Sequence, residues 1–172
     1  MEVKIRRVSE SAIIPTIARE GDAGYDLVAT DVVYDIASDT WIYSTGLSFA
    51  IPVGFYGDVR PRSSNCNTEF YLPNSCGVID SGYRGEVTFR YKCRTSTKVA
   101  GIINDIYGMV AQVAGRFGFK VRPELISIDP PFAVGDRIGQ IIITPCPKIE
   151  FKEVKELDST ERGEGSYGHS GK

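Results

Sequence analysis

Between residues 3 and 143 the chain is interrupted by a turn signal about every ten residues, and this cadence limits its fold more than any other feature. Residues 3–8, 32–36, 40–43, 47–51, 57–60 and 86–91 are rich in β-branched and aromatic side chains and partly alternate with polar ones. Between them lie Ile51-Pro52-Val53-Gly54, Arg60-Pro61-Arg62 and Leu72-Pro73-Asn74, which punctuate rather than continue a strand. Residues 138–143 form a nearly unbroken apolar run, expected of a strand covered on both faces. Short strands at this spacing predict an all-β sandwich or barrel rather than alternating strands and helices. One stretch departs from the cadence. Over residues 99–117, apolar side chains recur at Val99, Ile102, Ile103, Ile106, Met109, Val110, Val113 and Phe117, a helical spacing. Gly101, Gly108 and Gly115 fall seven apart along it, so the helix either lies closely on the β core or offers a surface to a subunit or partner.

A length of 172 residues with 42% hydrophobic side chains predicts one domain with a core of its own. The formal net charge of −2 argues against direct binding of nucleic acid, which calls for a basic face. A small anion needs only a few local arginines. Cys66, Cys76, Cys93 and Cys146 form no Cys-x-x-Cys pair and His169 is the single histidine, so a Cys/His zinc site is not expected. The opening residues lack the apolar run of a signal peptide, and no segment is long and apolar enough for a membrane span. The expected setting is a cytoplasm (a host's, if the chain is viral), with buried free thiols.

Chemistry concentrates in five segments. In Asp22-Ala23-Gly24-Tyr25-Asp26-Leu27 a carboxylate enters a strand. In Arg60-Pro61-Arg62-Ser63-Ser64 a proline fixes the approach of a five-donor guanidinium and two hydroxyls, a set suited to phosphate oxygens. Gly77-Val78-Ile79-Asp80-Ser81-Gly82-Tyr83-Arg84-Gly85 reads as a β-hairpin with Asp80 near its bend, where a carboxylate could take a proton from water and Tyr83 could face a sugar or base. Gly135-Asp136-Arg137-Ile138-Gly139-Gln140 opens the apolar strand. The glycine-rich tail, Arg162-Gly163-Glu164-Gly165-Ser166-Tyr167-Gly168, combines an arginine, an aromatic ring and uncrowded backbone N–H groups, which together can clamp a phosphorylated ligand. An ordinary capped or charged turn explains each segment alone; their joint presence does not follow from turns.

In this order the five segments resemble the motifs of the trimeric dUTP pyrophosphatase (dUTPase) family, a likeness running over residues 3–94 and 132–171. The resemblance implies a jelly-roll-like subunit in a threefold homotrimer whose active sites are shared between chains, with dUTP as substrate. It implies that Asp80 is the general base acting on the attacking water, and that Asp26 holds Mg²⁺ through water. It gives Arg62, Ser63, Ser64, Gln140 and Arg162 to the phosphates, and the backbone of Gly77, Val78 and Ile79 to the uracil edge. Tyr83 would lie on the deoxyribose face. In a C-terminal arm at 159–172, Tyr167 would stack on the base, with Gly168, His169 and Ser170 beside the phosphates.

Two departures stand out. The family tail usually reads Gly-Phe-Gly-Ser-Thr-Gly, where this chain has Ser166-Tyr167-Gly168-His169-Ser170-Gly171. Residues 96–131 form a partly helical insertion between the third and fourth motifs, similarly placed to a segment linked to partner binding in some phage members. That leaves a second reading, a dUTP-responsive regulatory protein that binds a partner through 96–131. A dCTP deaminase, the sibling chemistry, relies on a glutamate base in a differently built third motif.

Overall fold

The structure is a computed structural model, and it describes residues 1–94, 105, 106, 109, 110, 112, 113, 116, 117 and 129–165. Its strands are β1 (Lys4–Arg7), β2 (Tyr25–Val28), β3 (Asp31–Asp35), β4 (Thr40–Ala50), β5 (Phe55–Arg60), β6 (Phe70–Tyr71), β7 (Gly77–Ile79), β8 (Glu86–Cys93) and β9 (Arg137–Pro145). They make two antiparallel sheets. In the first, β4 lies between β8 on one edge and both β3 and β1 on the other, with β6 beyond β8. The second runs β2-β9-β5-β7. The fold is therefore the all-β sandwich that the turn cadence predicts.

Period-two alternation decides which face is inside. In β8, Val87, Phe89 and Tyr91 are buried while Thr88 and Arg90 between them are exposed. From the second sheet, Leu27, Val59, Ile138 and Ile141 meet them in the core. Each fully buried aliphatic or aromatic side chain contributes about 1.5–3 kcal/mol to folding.

Two core tyrosines carry hydroxyls into this apolar layer, and each is paired. The Tyr43 hydroxyl donates to the Phe132 carbonyl at 3.0 Å and accepts from the Phe132 N–H at 3.1 Å. The Tyr91 hydroxyl donates to the Ile138 carbonyl at 2.6 Å. Burial pushes the Tyr43 hydroxyl up to about 12, and burial, with Tyr43 beside it, raises Tyr91 as well. Both anchors fall on β9 or the loop entering it, so the core fixes that strand firmly.

The strands expected at 40–43 and 47–51 are one strand, β4, with its register to β8 slipping between Ser44 and Ser48. Side chains satisfy the backbone there: Glu86 Oε1 accepts the Gly46 N–H at 2.6 Å, and Thr45 Oγ1 donates to the Val87 carbonyl at 2.7 Å. Gly77 to Gly85 does not form a β-hairpin. β7 pairs with β5 in one sheet and β8 pairs with β4 in the other, so this segment crosses between sheets. The run at 138–143 is buried on its core face only; Gln140 and Ile142, on the outer face, are half-exposed.

The thiols are not buried as a set, because Cys66 and Cys146 are exposed and Cys76 and Cys93 half-buried, all four free. Within 99–117 the described positions 105, 106, 109, 110, 112, 113 and 116 have helical backbone. Ile106, Met109, Val110, Val113 and Phe117 are exposed, which corrects the reading of a helix laid on the core at those positions. The rest of that stretch, and residues 166–172, lie outside the described residues.

Candidate active site

Two separate groups of side chains lie at opposite ends of the second sheet. At one end, Asp26 of β2 stands opposite Gln140 of β9, and Gln140 stands opposite Arg60 of β5. Directly opposed residues share a face, so these three line up across the sheet. Just past β5, Pro61 carries the chain over them. Gln140 Nε2 donates to the Pro61 carbonyl at 3.1 Å, and Arg62 Nε donates to Asp26 Oδ1 at 2.9 Å. Arg137, the first residue of β9, donates from Nη1 to Asp26 Oδ2 at 3.1 Å.

Glycine makes room for this arrangement. A Cβ at Gly24 would fall on the carboxamide of Gln140. Arg62 then caps a 3₁₀ turn, Ser63–Asn67, in which Ser63 and Ser64 are exposed. The first N–H groups of such a turn have no partner within it and are open to an anion.

At the other end, the pairing of Ile79 with Gly57 sets Asp80 level with Tyr56. Asp80 is exposed, and no described residue hydrogen-bonds or ion-pairs with its carboxylate. Its carbonyl accepts the Tyr83 N–H at 3.0 Å, closing a tight turn. Tyr83 folds back over Gly85 so closely that a Cβ there would meet the phenol, and its hydroxyl donates to the Glu86 carbonyl at 3.0 Å. Val78, Ile79, Asp80, Tyr83, Glu86, Val87 and Thr88 enclose a cavity of about 170 Å³. That is below the roughly 300–1,000 Å³ of a complete small-molecule pocket. Because β7 is the edge strand of its sheet, one row of its backbone N–H and C=O groups has no strand partner and faces outward.

The two groups do not meet within one chain. Asp26 and Asp80 lie three strands and four residue levels apart on the sheet, on the order of 20 Å. Arg62, Ser63, Ser64, Gln140 and Asp26 are brought together; Gly77, Val78, Ile79, Asp80 and Tyr83 form the other set. Arg162 belongs to neither. It sits in an exposed turn, its Nε donating to the Gly165 carbonyl at 3.0 Å. Tyr167, Gly168, His169 and Ser170 lie outside the described residues.

Sequence reasoning missed two residues of this region. Arg137 stands in the fourth segment, and nothing in the sequence pairs it with the carboxylate of the first. Glu86 gave no signal, since its contact with Gly46 joins residues forty apart. Among the described residues no group of three or more Asp, Glu, His or Cys side chains could cage a metal. Asp26 already has a guanidinium on each oxygen. These side chains fit Mg²⁺ only as an ion held chiefly by phosphate oxygens and water.

Several known proteins are similar to this chain. The family model described as dUTPase matches residues 10–113 and 131–171. The deoxyuridine 5′-triphosphate nucleotidohydrolase of Clostridium kluyveri is 35% identical over 172 residues, covering 99% of both chains. A variant of the Staphylococcus bacteriophage 80alpha dUTPase, solved with dUpNHpp, superposes with a TM-score of 0.70 at 23% identity, covering 99% of this chain and 98% of that one. A variant dUTPase of Staphylococcus aureus phage phi11, described for its coordination of a structural Mg(II) ion, gives 0.62 at 22% identity over 91% of this chain and 99% of that one. At those identities the two structures speak for the fold. The break in the family match, 114–130, falls inside the segment 96–131.

Proposed function

The chain belongs to the dUTPase family, and from that premise we propose that it hydrolyses dUTP to dUMP and pyrophosphate at sites shared between the chains of a homotrimer. One observation carries the shared-site reading: the Asp80 group and the Arg62 group lie at opposite ends of one sheet, on the order of 20 Å apart. A nucleotide cannot touch both in one subunit. A cyclic assembly sets the Asp80 end of one copy against the Arg62 end of the next.

In this reading the Asp80 carboxylate takes a proton from water as the water oxygen bonds to the α-phosphorus. The bond from that phosphorus to the bridging oxygen breaks, and the electron pair leaves with pyrophosphate. Arg62, Ser63, Ser64 and Gln140 hold the triphosphate, joined by Arg162, His169 and Ser170 from an arm at 159–172. Asp26 would hold Mg²⁺ through water, and the ion would supply charge neutralisation on the phosphates. The free edge of Gly77, Val78 and Ile79 reads the uracil edge. Tyr83 packs against the deoxyribose where a 2′-hydroxyl would clash, and Tyr167 covers the base. The enzyme would act in the cytoplasm, of a host if the chain is viral; no helix among the described residues is long and apolar enough to cross a membrane.

The test is pyrophosphate release from dUTP, UTP, dCTP and dTTP with Mg²⁺. Wild type should turn over dUTP alone, and Asp80→Asn should lose at least about 10²-fold, the low end for a positioned base. Equal rates on UTP would contradict the role of Tyr83.

The exposed Ile106, Met109, Val110, Val113 and Phe117 support a second role, a dUTP-responsive contact with a protein partner through 96–131. Deleting 96–131 should then abolish partner capture while leaving a catalytic trimer. Unchanged capture after deletion would end that idea.

A further inference from the structure

We infer that Arg137 is a positioning residue for triphosphate binding: it occupies one oxygen of Asp26, confines Asp26 to a single bond with Arg62, and so leaves the terminal nitrogens of Arg62 for substrate. This rests on the phosphate-holding role proposed above for Arg62.

A carboxylate facing a guanidinium favours two parallel hydrogen bonds, one from each of two nitrogens. Asp26 has the oxygens to do this and Arg62 has the donors. If the pair closed that way, Arg62 would spend an Nη group internally and meet phosphate with a reduced fork. The structure has a different arrangement. Oδ1 of Asp26 takes only the Nε of Arg62, at 2.9 Å, and Oδ2 is filled by Nη1 of Arg137, at 3.1 Å. No described residue bonds to either Nη of Arg62.

Backbone register explains how Arg137 reaches this oxygen. Arg137 pairs with Val28, two residues along β2 from Asp26 and on its face. Its side chain is 54% exposed, against 22% for Asp26 and 29% for Arg62, so it covers the pair from the solvent side. The charges sum to one positive on a half-buried carboxylate bridge, where water screens less than at an open surface. The nearby Arg60 is occupied, with Nε and Nη2 both on Asp58 Oδ2.

The test measures affinity by calorimetry, at fixed Mg²⁺, for the non-hydrolysable α,β-imido analogue of dUTP and for dUMP. Wild type is compared with R137Q, R137K, D26N and the double variant D26N/R137Q. The expected result is about tenfold weaker binding of the triphosphate analogue by R137Q, with dUMP affinity nearly unchanged and R137K between the two. In the D26N background, R137Q should add nothing, because Arg137 acts through that carboxylate. An undiminished R137Q effect in that background would mean that Arg137 touches phosphate itself, and the inference would be wrong. Equal losses for triphosphate and dUMP with a lowered Tm would reduce Arg137 to a structural prop and overturn it too. R137Q binding like wild type sinks this inference alone; a wild type that binds neither nucleotide sinks the parent reading and this one with it.

Discussion

The two ends of the second sheet are built by opposite means. Around Asp26 the carboxylate and the nearby amide are tied to neighbours: two arginines share the carboxylate and Gln140 holds the Pro61 carbonyl. Beneath them the hydroxyls of Tyr43 and Tyr91 pin β9 and its approach from the core. Around Asp80 the carboxylate has no partner among the described residues, the strand is an edge and the cavity is open. The contrast is the one expected under the shared-site proposal, in which one end is finished within the chain and a neighbour completes the other. A grip on a highly charged triphosphate needs fixed donors, whereas a base that must reach water gains nothing from an internal ion pair.

The largest effect that could break this comparison comes from mixing subunits. D80N and R62Q should each be nearly inactive alone, yet co-refolded in equal amounts they should recover about a quarter of wild-type pyrophosphate release, since random threefold assembly leaves that share of sites intact. No recovery would mean that both residues serve the same site from one chain.

A smaller effect tests the open end. Gly85→Ala pushes its methyl group into Tyr83, whose ring can swing away at little cost to the fold. Discrimination of dUTP over UTP should fall about tenfold while thermal unfolding stays close to wild type. If discrimination survives, Tyr83 is not the sugar gate.

The smallest effect tests the anchored end. Tyr43→Phe strands the Phe132 N–H and carbonyl and should cost about 1–3 kcal/mol in thermal or urea unfolding. The same contact gives a pH dependence. With the Tyr43 hydroxyl raised from 10.0 to about 12, the fold favours its neutral form. That stabilisation is whole below pH 10 and is lost as pH rises toward 12, which alkaline unfolding with absorbance at 295 nm would follow. A midpoint unmoved by Y43F in that range would remove the anchor from the account.

Much of the sandwich was legible because alternation is local: β3, β5, β8 and β9 follow their β-branched patterns within a residue or two. Pairing is not local. Glycine and aspartate at 80–85 announce a turn, yet nothing in them says that the strand beyond joins the opposite sheet. Residues 40–51 contain a register slip that looks like a break when seen as sequence alone. β6 and β7 are too short to carry a period at all. The site residues were legible by type, since arginine, serine and glycine in those runs suit an anion. Their partition into two distant groups was not, because it arises from strand order β2-β9-β5-β7. The thiols went wrong for a simpler reason, as cysteine's general preference for burial does not determine any one cysteine.

The close approach of Gly24 to Gln140 has a consequence for anyone who would transplant these segments. The missing side chain in one motif is the seat of a carboxamide contributed 116 positions later. A graft that carries Gln140 into a host with alanine at the earlier position would keep its fold and lose the amide's hold on the Pro61 carbonyl. The two segments have to be inherited, or engineered, as a couple.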